Sequence, residues 1–149
     1  MAREYDFAVS LKIRHPSIDP DEITRTLKLI PQHAWKAGAD RPATAERSSA
    51  GTYRETLWIA PLGPSPYAPQ GLEFSLDEAL RFGALQVQRS RPFWNRLVAE
   101  GGSAELLIEI FGAETFTLEL TPATFALLAR SKLAISVQVH SGIRSRAVA

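Results

Sequence analysis

The regular alternation of apolar and polar residues at the start of the chain most constrains what it can fold into. Polar or small residues separate the apolar ones, which are Tyr5, Phe7, Val9, Leu11 and Ile13. A period of two places such residues on one face of a β-strand, so the pattern predicts a half-buried strand. The same alternation returns from Leu133 to Val139 and predicts a final strand there.

Helix-start signals follow the first strand and recur later in the chain. Asp19 and Pro20 predict an N-cap and a first turn, with Glu22 as the acid of a capping box. The buried stripe of this helix is predicted to be Ile23, Leu27 and Ile30, and Pro31 to end it.

Two further helical regions carry comparable signals. Ser75 and Glu78 predict a capping box, and the apolar side of the helix that follows is Leu76, Leu80, Ala84 and Val87. Pro92 separates a short helix containing Phe93, Leu97 and Val98. Thr121 and Pro122 predict the start of a last helix, with Phe125, Leu128 and Ala129 facing inward.

The remaining segments complete the predicted architecture. Strands are expected at Tyr53 to Ala60, Ala104 to Phe111 and Thr115 to Leu120, the last two joined by a hairpin turn at Gly112, Ala113 and Glu114. The sequence therefore predicts an α+β fold with a mixed, mainly antiparallel sheet of about five strands and helices on one face. Its connectivity would be ferredoxin-like, with an extra N-terminal strand and helix. We expect one domain over residues 4–140 and a frayed tail over 141–149.

Two segments lack a periodic pattern. The stretch from Gln32 to Gly51 is predicted to be a long loop, most mobile from Gly38 to Gly51. The stretch from Pro61 to Pro69 is predicted to be an extended connection that is not a central strand.

Composition excludes several classes of protein. The chain has 149 residues, with 17 Lys and Arg against 16 Asp and Glu, so a strongly basic nucleic-acid arm is not expected. It contains 0 cysteines, which excludes a disulfide scaffold and a thiolate metal site. Arginine outnumbers lysine among the basic residues, a usage that is common in GC-rich bacterial genomes. With no apolar segment long enough for a signal or a membrane span, a cytoplasmic protein is expected.

Three groups of residues carry side chains suited to catalysis or binding. His15 with Asp19, Asp21 and Glu22 suggests a metal or acid–base cluster, but helix capping also explains these acids, so no catalytic residue, metal site or cofactor is predicted. Trp35, Lys36 and Arg41 are candidate ligand-binding residues on a loop, although the favoured interpretation is that Trp35 folds back as a lid on the sheet, with Gly38 supplying the turn. Arg89, Arg91 and Arg96 surround Phe93 and Trp94, but the net charge of only +1 favours a solvated helix face over a nucleic-acid partner.

One motif carries a resemblance to a known family. The run from His15 to Thr24, followed by Trp35, Gly38 and Trp58, resembles a bacterial family of domains of unknown function, numbered 4279. The resemblance covers Phe7 to about Val139 and implies a small α+β bacterial protein with no established catalytic residues.

These observations favour a non-catalytic binding or protein-interaction module that recognises an unknown protein or small molecule through its long loops. The alternative is a small hydrolase or metal-dependent enzyme that uses His15 and the nearby acids. A homodimer is also predicted, because the strand from Leu133 to Val139 has no charge to protect an edge. Trp58 and Trp94 are not both expected in one core, which would leave aromatic surface for the dimer.

Overall fold

The computed structural model describes residues 5–42, 51–62, 75–112 and 115–141. The strands in these residues are β1 (Asp6–His15), β2 (His33–Trp35), β3 (Thr56–Leu62), β4 (Ser103–Gly112) and β5 (Ala134–Ser141). The helices are α1 (Pro20–Leu27), α2 (Leu76–Arg89), α3 (Arg91–Ala99) and α4 (Pro122–Arg130).

The strands form one five-stranded sheet in the order β2-β3-β1-β4-β5. All neighbours are antiparallel except β4 and β5, which are parallel. The predicted α+β class with a mixed, mainly antiparallel sheet is therefore confirmed. The first strand predicted from the sequence lies at the centre of the sheet. Its apolar alternation is regular because one of its faces packs under the helices and the other does not.

The helices cover the sheet face that carries the apolar residues of the strands. Leu11 lies opposite Ala60 on β3 and Leu106 on β4, and all three side chains are fully buried. α2 approaches this face closely at Gly83, where an added Cβ would lie 2.9 Å from Leu62 and 3.4 Å from Leu106. Glycine allows this close approach, because a side chain at position 83 would have to displace the ends of these two leucine side chains.

The prediction that Trp58 and Trp94 do not share one core is wrong. Both belong to the same buried cluster, with exposures of 0% and 4%. Each indole N–H also has a partner, since Trp58 Nε1 donates to Thr24 Oγ1 at 3.0 Å and Trp94 Nε1 donates to the Ser131 carbonyl at 2.8 Å. A satisfied indole is stable in a core, so these two residues leave no aromatic surface for a dimer.

The three predicted N-caps are confirmed. Asp19 Oδ1 accepts from the Asp21 N–H at 2.9 Å, Ser75 Oγ from the Glu78 N–H at 3.1 Å, and Thr121 Oγ1 from the Thr124 N–H at 3.3 Å. The carboxylate of Glu22 does not reach back to the cap as a capping box would require. It binds Arg96 on α3 instead and so links α1 to α3.

The helices differ from the prediction in two places. α1 ends at Leu27 rather than at Pro31, because Lys28 adopts the left-handed conformation at φ 56°, and Ile30 is consequently exposed.

In α4, Phe125 and Ala129 face outward and the buried residues are Thr124 and Leu128. The stripe is shifted because Thr124 Oγ1 is held at 3.1 Å from the hydroxyl of Thr121, which faces α2.

The segment 115–120 was predicted to pair with β4, but it forms no strand. β5 lies parallel to β4 and occupies the edge that a hairpin partner would need. The segment remains extended and packs its alternate apolar residues on the core, with Phe116 stacked on Tyr5 at 4.9 Å between ring centroids. The ferredoxin-like connectivity required this strand and is not confirmed. Ala113 and Glu114 of the predicted turn lie outside the described residues.

The predicted loop from Gln32 to Gly51 contains β2 and an isolated bridge between Asp40 and Thr52. β3 runs through Pro61, where a strand was not expected. Proline is tolerated at this point because β2 pairs with β3 only as far as Ile59, leaving β3 with a single neighbour beyond it. Residues 43–50, the prolines after 62 and the tail after 141 lie outside the described residues.

Candidate functional site

The face of the sheet opposite the helices carries a row of side chains from three strands. Trp35 on β2 lies opposite Leu57 on β3, and Leu57 in turn lies opposite Arg14 on β1. Cross-strand partners point to the same side of a sheet, so these three residues share a face. Their chain neighbours Ile13 and Trp58 point to the opposite side and are buried under the helices.

An aromatic stack stands at one end of this row. The rings of Trp35 and Tyr53 lie 5.0 Å apart between centroids at an interplanar angle of 11°. The guanidinium carbon of Arg41 lies 5.9 Å from the centroid of the Tyr53 ring. This distance is within the range of a cation–π contact, so the three side chains form one unit.

Backbone hydrogen bonds fix the stack in place. The Gly38 N–H donates to the Tyr53 carbonyl at 2.8 Å, and the Tyr53 N–H donates to the Ala39 carbonyl at 3.0 Å. Gly38 has φ +83°, a conformation that glycine adopts readily, and it lies in the turn closed by the bond from the Ala39 N–H to the Lys36 carbonyl. The buried Thr56 adds a further tie, because its Oγ1 accepts from the Ala37 N–H at 3.1 Å and donates to the Ile18 carbonyl at 2.6 Å.

The stack and the neighbouring row surround a cleft of about 320 Å³, which we call the aromatic–arginine cleft. Its lining residues are Arg14, Trp35, Arg41, Thr52, Tyr53, Arg54, Glu55 and Leu57. Three arginines therefore line the cleft together with a single carboxylate, that of Glu55. The pairing of that carboxylate with Arg14 is loose, at 3.9 Å with both side chains about half exposed, so the cleft favours an anionic ligand.

The structure brings together two of the three predicted binding residues. Trp35 and Arg41 both line the aromatic–arginine cleft, whereas Lys36 is exposed and is not among its lining residues. Sequence reasoning missed Tyr53, which was assigned only as the start of a strand, and it missed Arg14. The period-two pattern does place Arg14 on the face opposite Ile13, but the pairing of β2 with β3 is needed to bring these residues together.

The geometry of His15 explains its place in the motif. The side chain is 3% exposed, and its Nδ1 accepts from the N–H groups of Ser17 and Ile18 at 3.0 and 2.8 Å. Its Nε2 lies 3.0 Å from Glu100 Oε1. Nδ1 therefore closes the turn between β1 and α1, and Nε2 links this turn to Glu100 at the end of α3. Within the described residues, no group of three or more histidines and acids is arranged to hold a metal ion.

Asp77 is a buried carboxyl group of the helical layer that accepts several hydrogen bonds. Burial raises the pKa of Asp77, but hydrogen bonds from the Thr121 N–H and from the Thr124 and Thr121 hydroxyls, together with Arg81, hold that pKa below its ordinary value. The Thr121 N–H lies 2.7 Å from Asp77 Oδ1. The arrangement ties α2 to the start of α4.

A second cleft, of about 360 Å³, lies on the helical side of the molecule. Its cationic lining residues are Arg91, Arg130 and Lys132, and the side of Trp94 forms part of its wall. Arg96, which the sequence grouped with Arg91, binds Glu22 and lies 5.4 Å from the Phe93 ring. The basic residues around Phe93 and Trp94 therefore do not form one surface.

The comparisons with known proteins identify a family. The sequence profile of the domain of unknown function DUF4279 matches residues 3–142. The chain belongs to this family. The resemblance predicted from the motif between His15 and Thr24 is thus confirmed, and in the structure that motif forms the turn from β1 into α1 of this DUF4279 member.

No curated protein and no solved structure matches the chain. Among the described residues, no helix has the length and apolar character needed to cross a membrane.

Proposed function

We propose that this DUF4279 member is a non-catalytic binding module whose aromatic–arginine cleft recognises an acidic segment of a partner protein. The observation that carries the proposal is the stack of Trp35 on Tyr53 with Arg41 beside it, in a cleft where three arginines face one glutamate. The bacterial and cytoplasmic setting expected from the sequence remains a prediction.

The residue types in the cleft support a protein partner. Trp, Tyr and Arg are the residues most enriched among those that dominate binding energy at protein interfaces. The cleft opens along a sheet face on which the described residues place no helix, and its volume lies at the lower end of the range for small-molecule pockets. An extended segment laid along this face would contact the stack and the arginines together.

The charges support an acidic segment. Arg41 and Arg54 present planar guanidinium groups, which bind carboxylates through two parallel hydrogen bonds. Arg14, at the far side of Leu57, extends the positive surface along the row. A partner with carboxylates spaced along an extended chain would match this row better than a single compact anion would.

The enzyme alternative has no comparable support. It depends on His15, whose ring nitrogens are engaged with Ser17, Ile18 and Glu100. The acids that were grouped with it have structural partners of their own, because Asp19 caps α1 and Glu22 binds Arg96.

The indole signals of the tryptophans allow a direct test. The chain has 3 tryptophans, and those of Trp58 and Trp94 are buried and hydrogen-bonded. In a titration of ¹⁵N-labelled protein with hexaglutamate, we expect the Trp35 indole and the Tyr53 amide signals to shift while the Trp58 and Trp94 indoles stay in place. Arg41→Ala should weaken the binding by at least about fivefold, corresponding to about 1 kcal/mol.

Arg130→Ala is the matched control, because Arg130 is an exposed arginine on α4 that lines the second cleft instead. It should leave hexaglutamate affinity unchanged. The proposal is wrong if hexaglutamate at millimolar concentration shifts neither Trp35 nor Tyr53, or if Arg130→Ala weakens binding as much as Arg41→Ala does.

A further inference from the structure

β5 forms one edge of the sheet. It is the last strand in the sheet order, and all 8 of its residues are in register with β4 on one side. On its other side, the described residues contain no further strand. The outward N–H and C=O groups of β5 therefore form a template for another strand.

This edge lacks the features that normally prevent pairing. From Ala134 to Ser141 the strand contains no lysine, arginine, aspartate, glutamate or proline. The opposite edge differs, since β2 has only 3 residues and is followed directly by Lys36. Short edge strands and charged neighbours discourage edge-to-edge association, so β5 is the edge suited to accept a partner.

The apolar side of β5 is also incompletely covered. Ile135, Val137 and Val139 are in register with the core residues Leu106, Ile108 and Ile110, so they point to the helical side of the sheet. Val137 and Val139 are nevertheless 56% and 61% exposed. The helices do not reach these two valines, and a partner strand would bury part of their surface.

We propose that β5 pairs with β5 of a second copy of this chain, antiparallel about a two-fold axis at Val137. In this register Val137 meets Val137 of the other copy, Ile135 meets Val139, and Ser136 meets Gln138. Every apolar residue then lies opposite an apolar residue on the helical side. A shift of the axis to Gln138 would place Ile135 opposite Ser141, so the sequence of the strand favours the first register.

A second copy fits this edge better than a charged partner would. Self-pairing about a two-fold axis brings like residues together, which an uncharged strand tolerates and a charged strand does not. The resulting sheet would be continuous through both copies. Because an axis of this kind stands perpendicular to the sheet, both aromatic–arginine clefts would lie on the same surface, each near an outer edge.

Chemical cross-linking tests the register. The chain has 0 cysteines, so a single introduced cysteine reports its own position. Val137→Cys should give a covalent dimer with a short bismaleimide, since residue 137 meets its counterpart. Ala134→Cys is the control. It meets His140 of the other copy and lies about 20 Å from its own counterpart, from the rise per residue of a strand, so it should not cross-link.

Light scattering tests the dimer itself. The parent protein should have twice the chain mass of 16.4 kDa at micromolar concentration. Val137→Lys should raise the dissociation constant at least about tenfold, because two lysines would meet at the axis. Ile30→Lys is the control, because it also replaces an exposed apolar residue with lysine, at a site that is 86% exposed and lies outside β5. It should leave the mass unchanged.

A circular dichroism spectrum of each variant confirms that it is folded. A parent mass of one chain without concentration dependence would overturn the proposal. Equal cross-linking of the Val137→Cys and Ala134→Cys variants would overturn it too. This inference does not depend on hexaglutamate binding, so the two proposals fail separately.

Discussion

The two faces of the sheet show how one set of strands supplies both a core and a surface for recognition. Trp58 and Trp35 illustrate the difference, because they lie on neighbouring strands and on opposite faces. Trp58 is fully buried with its indole bonded to Thr24, whereas Trp35 is half-buried and stacks on Tyr53. The comparison teaches that the covered face determines stability, while the other face holds aromatic and charged groups where a partner can contact them.

The largest expected effect comes from replacing each of these two tryptophans with alanine. Trp58→Ala should lower the free energy of unfolding by about 3–5 kcal/mol, since it leaves a cavity and removes the partner of the Thr24 hydroxyl. Trp35→Ala should lower it by only about 1 kcal/mol, the scale of an aromatic stack. Urea denaturation measures both. Equal losses would mean that Trp35 belongs to the core and would end the distinction between the faces.

An intermediate effect is expected at Asp77 on the helical side. Asp77→Asn should lower the free energy of unfolding by about 1–3 kcal/mol at neutral pH, because it removes a charge that accepts hydrogen bonds from Thr121. The pKa of Asp77 is lowered in the folded protein, so this stabilisation is present above the ordinary carboxyl pKa and is lost as the pH falls below it.

The pH dependence separates this role of Asp77 from a packing effect. The difference in unfolding free energy between the parent and Asp77→Asn should shrink as the pH falls below about 3.8, the ordinary value for the group. Urea denaturation at a series of pH values provides the measurement. A difference that stays constant into acid would show that the charge contributes nothing and that only shape matters at this position.

Much of the covered face was predictable from local signals. The caps at Asp19, Ser75 and Thr121 were found because a short polar side chain before a helical pattern is a local and specific signal. The alternation in β1 was equally clear, because only one face of β1 is covered by helices. These features depend on residues close together in the sequence.

The errors in the fold lie where the pattern alone is ambiguous. The alternation in 115–120 suits a strand, but it suits equally an extended segment that rests Phe116 and Leu118 on the core. β2 has only 3 residues, too few to show a period.

The candidate site was found only in part for a related reason. Trp35 and Arg41 stood out by composition. Tyr53 is brought beside them by backbone hydrogen bonds with Gly38 and Ala39 and by the neighbouring bridge between Asp40 and Thr52. No local sequence pattern reveals these contacts.

The smallest expected effect tests whether the sheet face opposite the helices is open to solvent. Lys12 and Glu105 form an ion pair there at 3.5 Å, and the Ser136 hydroxyl donates to Glu105 at 2.6 Å. Glu105→Gln keeps the shape and a hydrogen-bond acceptor, so it should lower the free energy of unfolding by only about 0.5–1 kcal/mol, and less at high salt. Paired urea denaturation at low and high salt measures this. A loss above about 2 kcal/mol that salt does not change would indicate a buried charge pair. The sheet face opposite the helices would then be covered by another part of the chain or by a partner. The aromatic–arginine cleft on this face would not be open to a ligand in the free protein.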